Sequence, residues 1–202
     1  MATQSLLHYL SIALPAIPIQ GAAPSRNTTN PCYGPDDITE VVTWQEFNYA
    51  NILQQYGAPY VQASSNLRHN FLLSSSHKSP LTGEARQPSS INSNQIRRPG
   101  DLKVSWKWKS SLRFSQIKAD QNKYKQVLSQ VNFYMKQHGA RYRYILTNTE
   151  LVAVKRLNNN GRLAVANPIP WTSGSIGQPS VLLGLWYLGM LVAENNNWAL
   201  TI

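Results

Sequence analysis

The sequence predicts an α/β domain with a mixed central sheet flanked by helices. Three patterns indicate this class: an alternating run after Pro99-Gly100, an amphipathic helix in residues 120–139, and two strand-like segments in residues 141–157 that precede an apolar helix. The 202 residues are 42% hydrophobic and 14% charged, which is typical of one globular domain with a sizeable core and excludes a disordered chain. We expect residues 36–202 to form this domain and residues 1–35 to be an N-terminal extension.

The extension carries conflicting targeting signals. An apolar run from Leu6 to Ile19, followed by Gln20-Gly21-Ala22-Ala23, resembles the core and cleavage site of a secretory signal. No Lys or Arg precedes the run, however, and two prolines interrupt it. Cys32 is the only cysteine, so no internal disulfide requires an oxidising compartment. The sequence favours an intracellular protein of the nucleus or cytoplasm, with secretion as the alternative.

The domain is predicted to open with a helix. Asp36-Asp37 supplies an N-cap, apolar residues follow from Ile38 to Leu53, and Tyr56-Gly57 provides an end. Beyond it, residues 60–63 and 71–73 are compatible with short strands. The segment at about 74–98 is rich in Ser, Asn, Pro and Gly and predicts a long polar loop.

A turn at Pro99-Gly100 then starts a short strand. Apolar residues alternate with polar ones, which predicts a buried face made of Leu102, Val104, Trp106 and Trp108. Asp101 and Lys103 are two residues apart and project side by side from the other face. A carboxylate and an ammonium in this arrangement can hold a divalent metal, a water and a phosphate oxygen, although the same pair also occurs as an ordinary surface ion pair.

The following segment has the clearest helical pattern. From Asp120 the apolar residues recur at helical spacing, and Gly139 supplies a C-terminal stop. Gln130 and Tyr134 are one helical turn apart at the edge of the buried stripe. Both side chains can therefore reach over a neighbouring strand.

In combination these elements resemble the core of the PD-(D/E)XK nuclease superfamily, which has a restriction-endonuclease-like fold. The segments Gly100-Asp101-Leu102-Lys103-Val104-Ser105-Trp106 and Gln130-Val131-Asn132-Phe133-Tyr134-Met135 are similar to those of a group of fungal proteins with that core, often of unassigned function. In RecB-type members the acid binds Mg²⁺, the lysine positions or activates water, and the Gln-x-x-x-Tyr helix orients the substrate. The resemblance implies Mg²⁺ as a cofactor and assigns these roles to Asp101, Lys103, Gln130 and Tyr134.

The superfamily pattern also includes an aspartate on the preceding strand, which this chain lacks. Glu84 is the only acidic residue between Tyr60 and Gly100, and its surroundings indicate a loop. An alternative register, with Asp101 in the first motif and Ser105-Trp106-Lys107 as the second, also leaves one carboxylate missing.

Some nuclease-like folds take a further metal ligand from the first helix. Glu40 and Glu46 are available on the helix predicted here, and Glu46 is the candidate metal ligand beside Asp101, the alternative being that both glutamates are solvated helix charges. A glutamate that reaches the pocket would partly compensate for the missing aspartate.

Basic residues outnumber acidic ones by 19 to 9, and the formal net charge of +10 favours a polyanionic partner such as nucleic acid. Several basic residues lie near aromatic residues between the two motifs. The candidate nucleic-acid contacts are Lys107, Lys109, Arg113 and Lys118. The alternative is a tryptophan core with a solvated lysine rim.

The C-terminal third is predicted to be scaffold. Strands at 141–147 and 151–157 are expected to pair around Asn148-Thr149-Glu150, and a turn at Asn158-Asn159-Asn160-Gly161 precedes a strand at 163–165. The apolar helix at 181–193 is too short for a comfortable membrane span.

Three functions are compatible with these patterns. The first is a metal-dependent nuclease that hydrolyses phosphodiester bonds of DNA or RNA. The second is a catalytically inactive nuclease-like module that binds nucleic acid or a protein partner. The third is a secreted fungal effector.

Overall fold

A six-stranded mixed sheet organises the chain in the computed structural model, which describes residues 5–18, 31–56, 100–194 and 199–200. The strands are β1 (Glu40–Thr43), β2 (Gly100–Leu102), β3 (Tyr142–Leu146), β4 (Glu150–Arg156), β5 (Arg162–Val165) and β6 (Ile169–Pro170). Their order is β1-β5-β4-β3-β2, with β6 paired to β4. β3, β4 and β5 form an antiparallel meander, whereas β1 and β2 run parallel to β5 and β3. The predicted mixed sheet is confirmed.

Helices cover both faces of this sheet. They are α1 (Leu6–Leu10), α2 (residues 49–56), α3 (Lys118–Gln137) and α4 (Val181–Ala193). α3 is the crossover between the parallel strands β2 and β3, and α4 follows the meander. The predicted amphipathic helix, the strand pair and the apolar C-terminal helix are confirmed.

Each face of the sheet has its own hydrophobic core. Successive residues of a strand point to opposite faces, so Ile145 and Val152 pack with Leu128 of α3, whereas Leu151 packs with Leu183 of α4. Trp108 belongs to the α3 core, where its ring stacks on Tyr124 at 5.8 Å between centroids. α3 is therefore fixed over β2 and β3 by fully buried side chains.

The predicted first helix is wrong over its N-terminal half. Residues Glu40–Thr43 form β1, and helix begins only at residue 49. The β-branched residues of β1 suit a strand, and each of them pairs with a residue of β5. The segment before β1 lies close to the turn between β4 and β5. Gly161 in that turn has φ +81°, and a Cβ there would lie 1.8 Å from the Asp37 carbonyl oxygen. Only glycine permits this approach.

The alternating strand after Pro99-Gly100 is much shorter than predicted. β2 ends at Leu102, and residues 105–107 form a turn in which the Lys107 N–H donates to the Val104 carbonyl at 2.9 Å. Trp108 is fully buried as predicted, but Leu102, Val104 and Trp106 are 75%, 43% and 40% exposed. The turn breaks the period of two, so the prediction that these three residues form a buried face is wrong.

Residues 5–18 pack against the domain. Leu10 is 8% exposed, and its carbonyl accepts a hydrogen bond from the Ser180 hydroxyl at the start of α4. The Leu14 N–H donates to the Trp171 carbonyl at 2.9 Å. This part of the predicted N-terminal extension thus contributes to the core of the α4 face.

Two further expectations concern the loop and the membrane. The predicted polar loop at 74–98 and the short strands at 60–63 and 71–73 lie outside the described residues. In the part of the chain that the structure describes, no helix combines the length and the apolarity that a bilayer span requires.

Candidate functional site

The parallel pair β2 and β3, with α3 above it, brings the two sequence motifs together. Asp101 is in register with Ile145, whose side chain belongs to the α3 core, so the Asp101 carboxylate is on the face that α3 covers. Lys103 follows directly after β2, and its backbone N–H donates to the Leu146 carbonyl at 2.9 Å. This bond extends the strand pairing by one residue and fixes the position of the lysine.

Asp101, Lys103 and Gln130 form one polar contact. The Lys103 Nζ lies 3.3 Å from Asp101 Oδ2 and donates a hydrogen bond to Gln130 Oε1 at 2.7 Å. The side chains of Lys103 and Asp101 are 20% and 15% exposed, so water screens the ion pair only partly. The lysine of one motif is therefore held between an acid of its own strand and an amide of α3.

Tyr134 completes this group through Arg143, a residue that belongs to neither sequence motif. Arg143 lies on β3, is 5% exposed, and donates from Nη1 to the Val131 carbonyl at 3.5 Å. Its guanidinium carbon lies 5.0 Å from the centroid of the Tyr134 ring, a cation–π distance. Burial lowers the pKa of Arg143 to about 10, while the negative charge of Asp101 acts in the opposite direction. The guanidinium therefore remains protonated at neutral pH.

The sequence does contain a signal for Arg143. It is two residues before Ile145 on a strand, so both side chains point to the same buried face. A charged residue on a buried strand face requires a partner, which here is the aromatic ring and the nearby carboxylate.

The balance of charge at this site determines how well it suits Mg²⁺. Asp101 Oδ2 is buried and has no hydrogen-bond partner among the described residues, which is the one local feature that suits a cation. The same carboxylate lies 3.3 Å from the Lys103 Nζ and interacts electrostatically with Arg143, so the three charged groups carry a net positive charge. No group of three or more His, Cys, Asp or Glu side chains suited to a metal occurs within the described ranges. These residues fit an anion such as phosphate better than they fit Mg²⁺.

Glu46, the predicted second metal ligand, does not join Asp101. It is an exposed residue in the turn after β1, and its charge acts on Lys155, whose Nζ lies over Trp44 on the α4 face. β1 and β2 stand at opposite ends of the strand order, and Asp101 faces α3. The structure therefore places Glu46 apart from Asp101 and does not bring the two carboxylates together.

Glu40, the other glutamate of the predicted first helix, is also engaged elsewhere. It lies on β1, and its Oε2 is 2.7 Å from the Arg162 Nε in an exposed ion pair. Neither glutamate replaces the missing aspartate.

A cavity of about 280 Å³ opens directly beside Lys103. We call it the lysine cavity because its polar lining consists largely of lysines and glutamines: Lys103, Lys107, Lys123, Gln126 and Gln130. The α3 members recur every three or four residues, which places them along one side of the helix. The loop after β2 supplies the opposite wall.

Two of these lysines have close neighbours of their own. The Lys107 Nζ lies 4.9 Å from the centroid of the Trp106 ring, and the Lys123 Nζ lies 3.0 Å from Asp120 Oδ1 with its side chain 52% exposed. An exposed ion pair of this kind contributes little stability and exchanges readily with water or a stronger anion. The cavity therefore presents cations that a phosphate can reach.

The other predicted nucleic-acid contacts lie apart from this cavity. The Arg113 Nη2 donates to the Val41 carbonyl of β1 at 2.7 Å, and its guanidinium lies 5.4 Å from the Phe114 ring. Lys109 and Lys118 are exposed, and neither lines the cavity. Of the four candidates, the structure brings Lys107 next to Lys103.

Comparisons of the chain with protein-family models, with curated proteins and with solved structures find no match. The function is therefore argued from the side chains of this site.

Proposed function

We propose that this protein is a nuclease-like module that binds nucleic acid at the lysine cavity without cleaving it. The observation that carries the proposal is the convergence of Lys103, Lys107 and Lys123 on one cavity. Three ammonium groups around one opening bind phosphate by charge, and the release of counterions from the nucleic acid drives the association. The formal net charge of +10 acts in the same direction at longer range.

The geometry of the motifs supports a restriction-endonuclease-like core for this module. The acid-x-Lys strand β2 connects through α3 to the parallel strand β3, and the Lys103–Gln130 hydrogen bond joins the two motifs. Catalysis is disfavoured because Asp101 faces two cations, and because Glu46 and Glu40 are placed elsewhere.

Binding can be tested with a fluorescently labelled single-stranded oligonucleotide and fluorescence anisotropy over a range of salt concentrations. In the triple variant Lys103→Ala/Lys107→Ala/Lys123→Ala, the slope of log affinity against log salt is expected to fall by about 2, since each lost phosphate contact contributes about 0.7. The control variant Lys109→Ala/Lys118→Ala/Lys136→Ala removes the same charge from exposed positions outside the cavity. Equal losses in the two variants would mean that the cavity is not the binding site.

A metal-dependent nuclease acting on DNA or RNA is the second candidate. The buried Oδ2 of Asp101 favours it, since this oxygen has an ion pair with Lys103 but accepts no hydrogen bond, and a metal ion would satisfy it further. The test is cleavage of labelled DNA and RNA with Mg²⁺ or Mn²⁺, comparing the intact protein with Lys103→Ala. Metal-dependent cleavage that disappears in the variant would establish the nuclease and refute the binding-only proposal.

A further inference from the structure

We infer that the lysine cavity receives one nucleotide whose base is unpaired, so that single-stranded nucleic acid is the preferred ligand. This inference deepens the proposed function and rests on it. Its basis is that the lysines make up only part of the cavity, which also has an aromatic and aliphatic wall.

The aromatic part of that wall is Tyr33. Its ring packs against Phe133 of α3, with centroids 5.5 Å apart and planes tilted by 42°. The Tyr33 carbonyl accepts a hydrogen bond from Gln126 Nε2 at 3.5 Å, which ties this segment to the helix from a second point. A ring held in this way provides a stable surface on which a base can stack.

Val104 and Val127 extend the apolar wall from the two sides of the cavity. Val104 is 43% exposed, in the turn after β2, and Val127 is partly buried on α3. A phosphate alone gains nothing from aliphatic groups, because they cannot donate hydrogen bonds to it. A ligand that carries both an anionic group and a flat apolar group can use the whole lining.

The chemistry of a nucleotide matches this division. Its phosphate can contact the lysines while its base contacts Tyr33 and the valines, and the side-chain amides of Gln126 and Gln130 offer donors and acceptors to a base edge. The volume of about 280 Å³ is just below the range of typical ligand pockets, which is about 300–1,000 Å³. It therefore suits one small unit of a polymer.

The pairing state of the ligand follows from the same geometry. In a duplex the faces of the bases are stacked, so a base reaches such a cavity only after it leaves the helix, which costs a few kcal/mol. A single strand has no pairing to break, and its bases are free to stack on an aromatic side chain. Single strands are thus expected to bind more tightly than duplexes of the same length.

The experiment compares three ligands of about 12 nucleotides by fluorescence anisotropy: a single strand, the same strand with abasic residues, and the duplex. The intact protein is expected to bind the single strand about tenfold more tightly than the abasic strand, which retains the phosphates but lacks the bases. Tyr33→Leu is expected to abolish this difference, whereas Tyr33→Phe, which retains the ring, is expected to preserve it. Thermal unfolding followed by circular dichroism verifies that both variants are folded.

The outcomes separate this inference from the proposed function. Equal affinities of the intact protein for normal and abasic single strands would overturn the base-binding inference, and so would duplex binding as tight as that of the single strand. Either result would still be compatible with nucleic-acid binding that depends on Lys103, Lys107 and Lys123. Conversely, unchanged binding of every ligand by the triple lysine variant would overturn the proposed function itself. The comparison of normal and abasic strands uses only the intact protein, so it remains decisive even if Tyr33→Leu fails to fold.

Discussion

Replacing Asp101 by asparagine is expected to strengthen nucleic-acid binding. The carboxylate lies 3.3 Å from the Lys103 Nζ and neutralises much of its charge. Asparagine has nearly the same shape but carries no charge, so Lys103 remains beside Gln130 while its ammonium attracts a phosphate more strongly. A binding module therefore gains affinity from the loss of this acid.

The geometry gives the size of the gain. A phosphate oxygen hydrogen-bonded to Lys103 would lie about 6 Å from the Asp101 carboxylate, because the 3.3 Å ion pair is followed by a hydrogen bond of about 2.8 Å. Two like charges at that separation repel by about 3 kcal/mol at an effective dielectric constant of about 20. The Asp101 and Lys103 side chains are 15% and 20% exposed, so solvent reduces this figure. We expect a gain of about 1–2 kcal/mol, which corresponds to about five- to thirtyfold tighter binding.

The assay is the anisotropy titration of the single-stranded oligonucleotide at low salt. Glu40→Gln is a matched control, because it removes one carboxylate from an ion pair on β1, at the other end of the strand order. We expect the control to change affinity by less than about twofold. Weaker binding by Asp101→Asn, or equal effects of the two substitutions, would refute the reasoning. Metal-dependent cleavage that is lost in Asp101→Asn would instead favour the nuclease.

Two further predictions concern stability. Burial raises the pKa of Tyr124 to about 12, so above pH 10 the unfolded chain loses this proton while the folded chain keeps it, and the free energy of unfolding falls as pH rises. For this group the free energy of unfolding falls by about 1.4 kcal/mol between about pH 9 and pH 11. Urea unfolding of Tyr124→Phe should show a pH-dependent loss that is smaller by this amount. An identical pH dependence in the two proteins would contradict the assignment. Ser180→Ala removes an acceptor for the Leu183 N–H at 3.0 Å and a donor to the Leu10 carbonyl, and should cost about 1–2 kcal/mol. Thermal unfolding of both variants measures these costs in stability. Ser5→Ala removes only the exposed cap of α1 and should lower the stability less than Ser180→Ala does. Equal losses of stability would contradict a structural role for the Leu10 contact.

The elements that the sequence predicted correctly are those whose partners are close along the chain. The pattern of α3 is decided by residues within a few turns, and β3 and β4 are joined by a short turn. The local pattern predicts a helix in place of β1 because Ile38, Val41 and Val42 match helical spacing as well as they match a strand. Its partner, β5, is more than a hundred residues further along the chain, so no local pattern could decide between the two structures.

In the candidate site, too, the features set by local sequence are predictable and those set by distant contacts are not. The contact of Lys103 with Gln130 agrees with the motifs, because Asp101 lies on a predicted strand, Lys103 directly follows that strand, and Gln130 lies on the predicted helix. Trp106 was misplaced because the turn after β2 depends on a distant bond, from the Ser105 N–H to Asn148 Oδ1 at 2.8 Å. The cavity wall provided by Tyr33 could not be predicted either, since it requires the packing of this residue on Phe133.

We expect the parallel pairing of β2 with β3 to form late in folding. β3, β4 and β5 are joined by short turns, so their pairing closes small loops and is kinetically favoured. β2 contributes three residues at one end of the strand order and is separated from β3 by the whole of α3, so its pairing closes a longer loop. On this expectation the contact of Lys103 with Gln130 has a φ-value near zero, and an anion bound at the lysine cavity slows unfolding while it leaves the folding rate nearly unchanged.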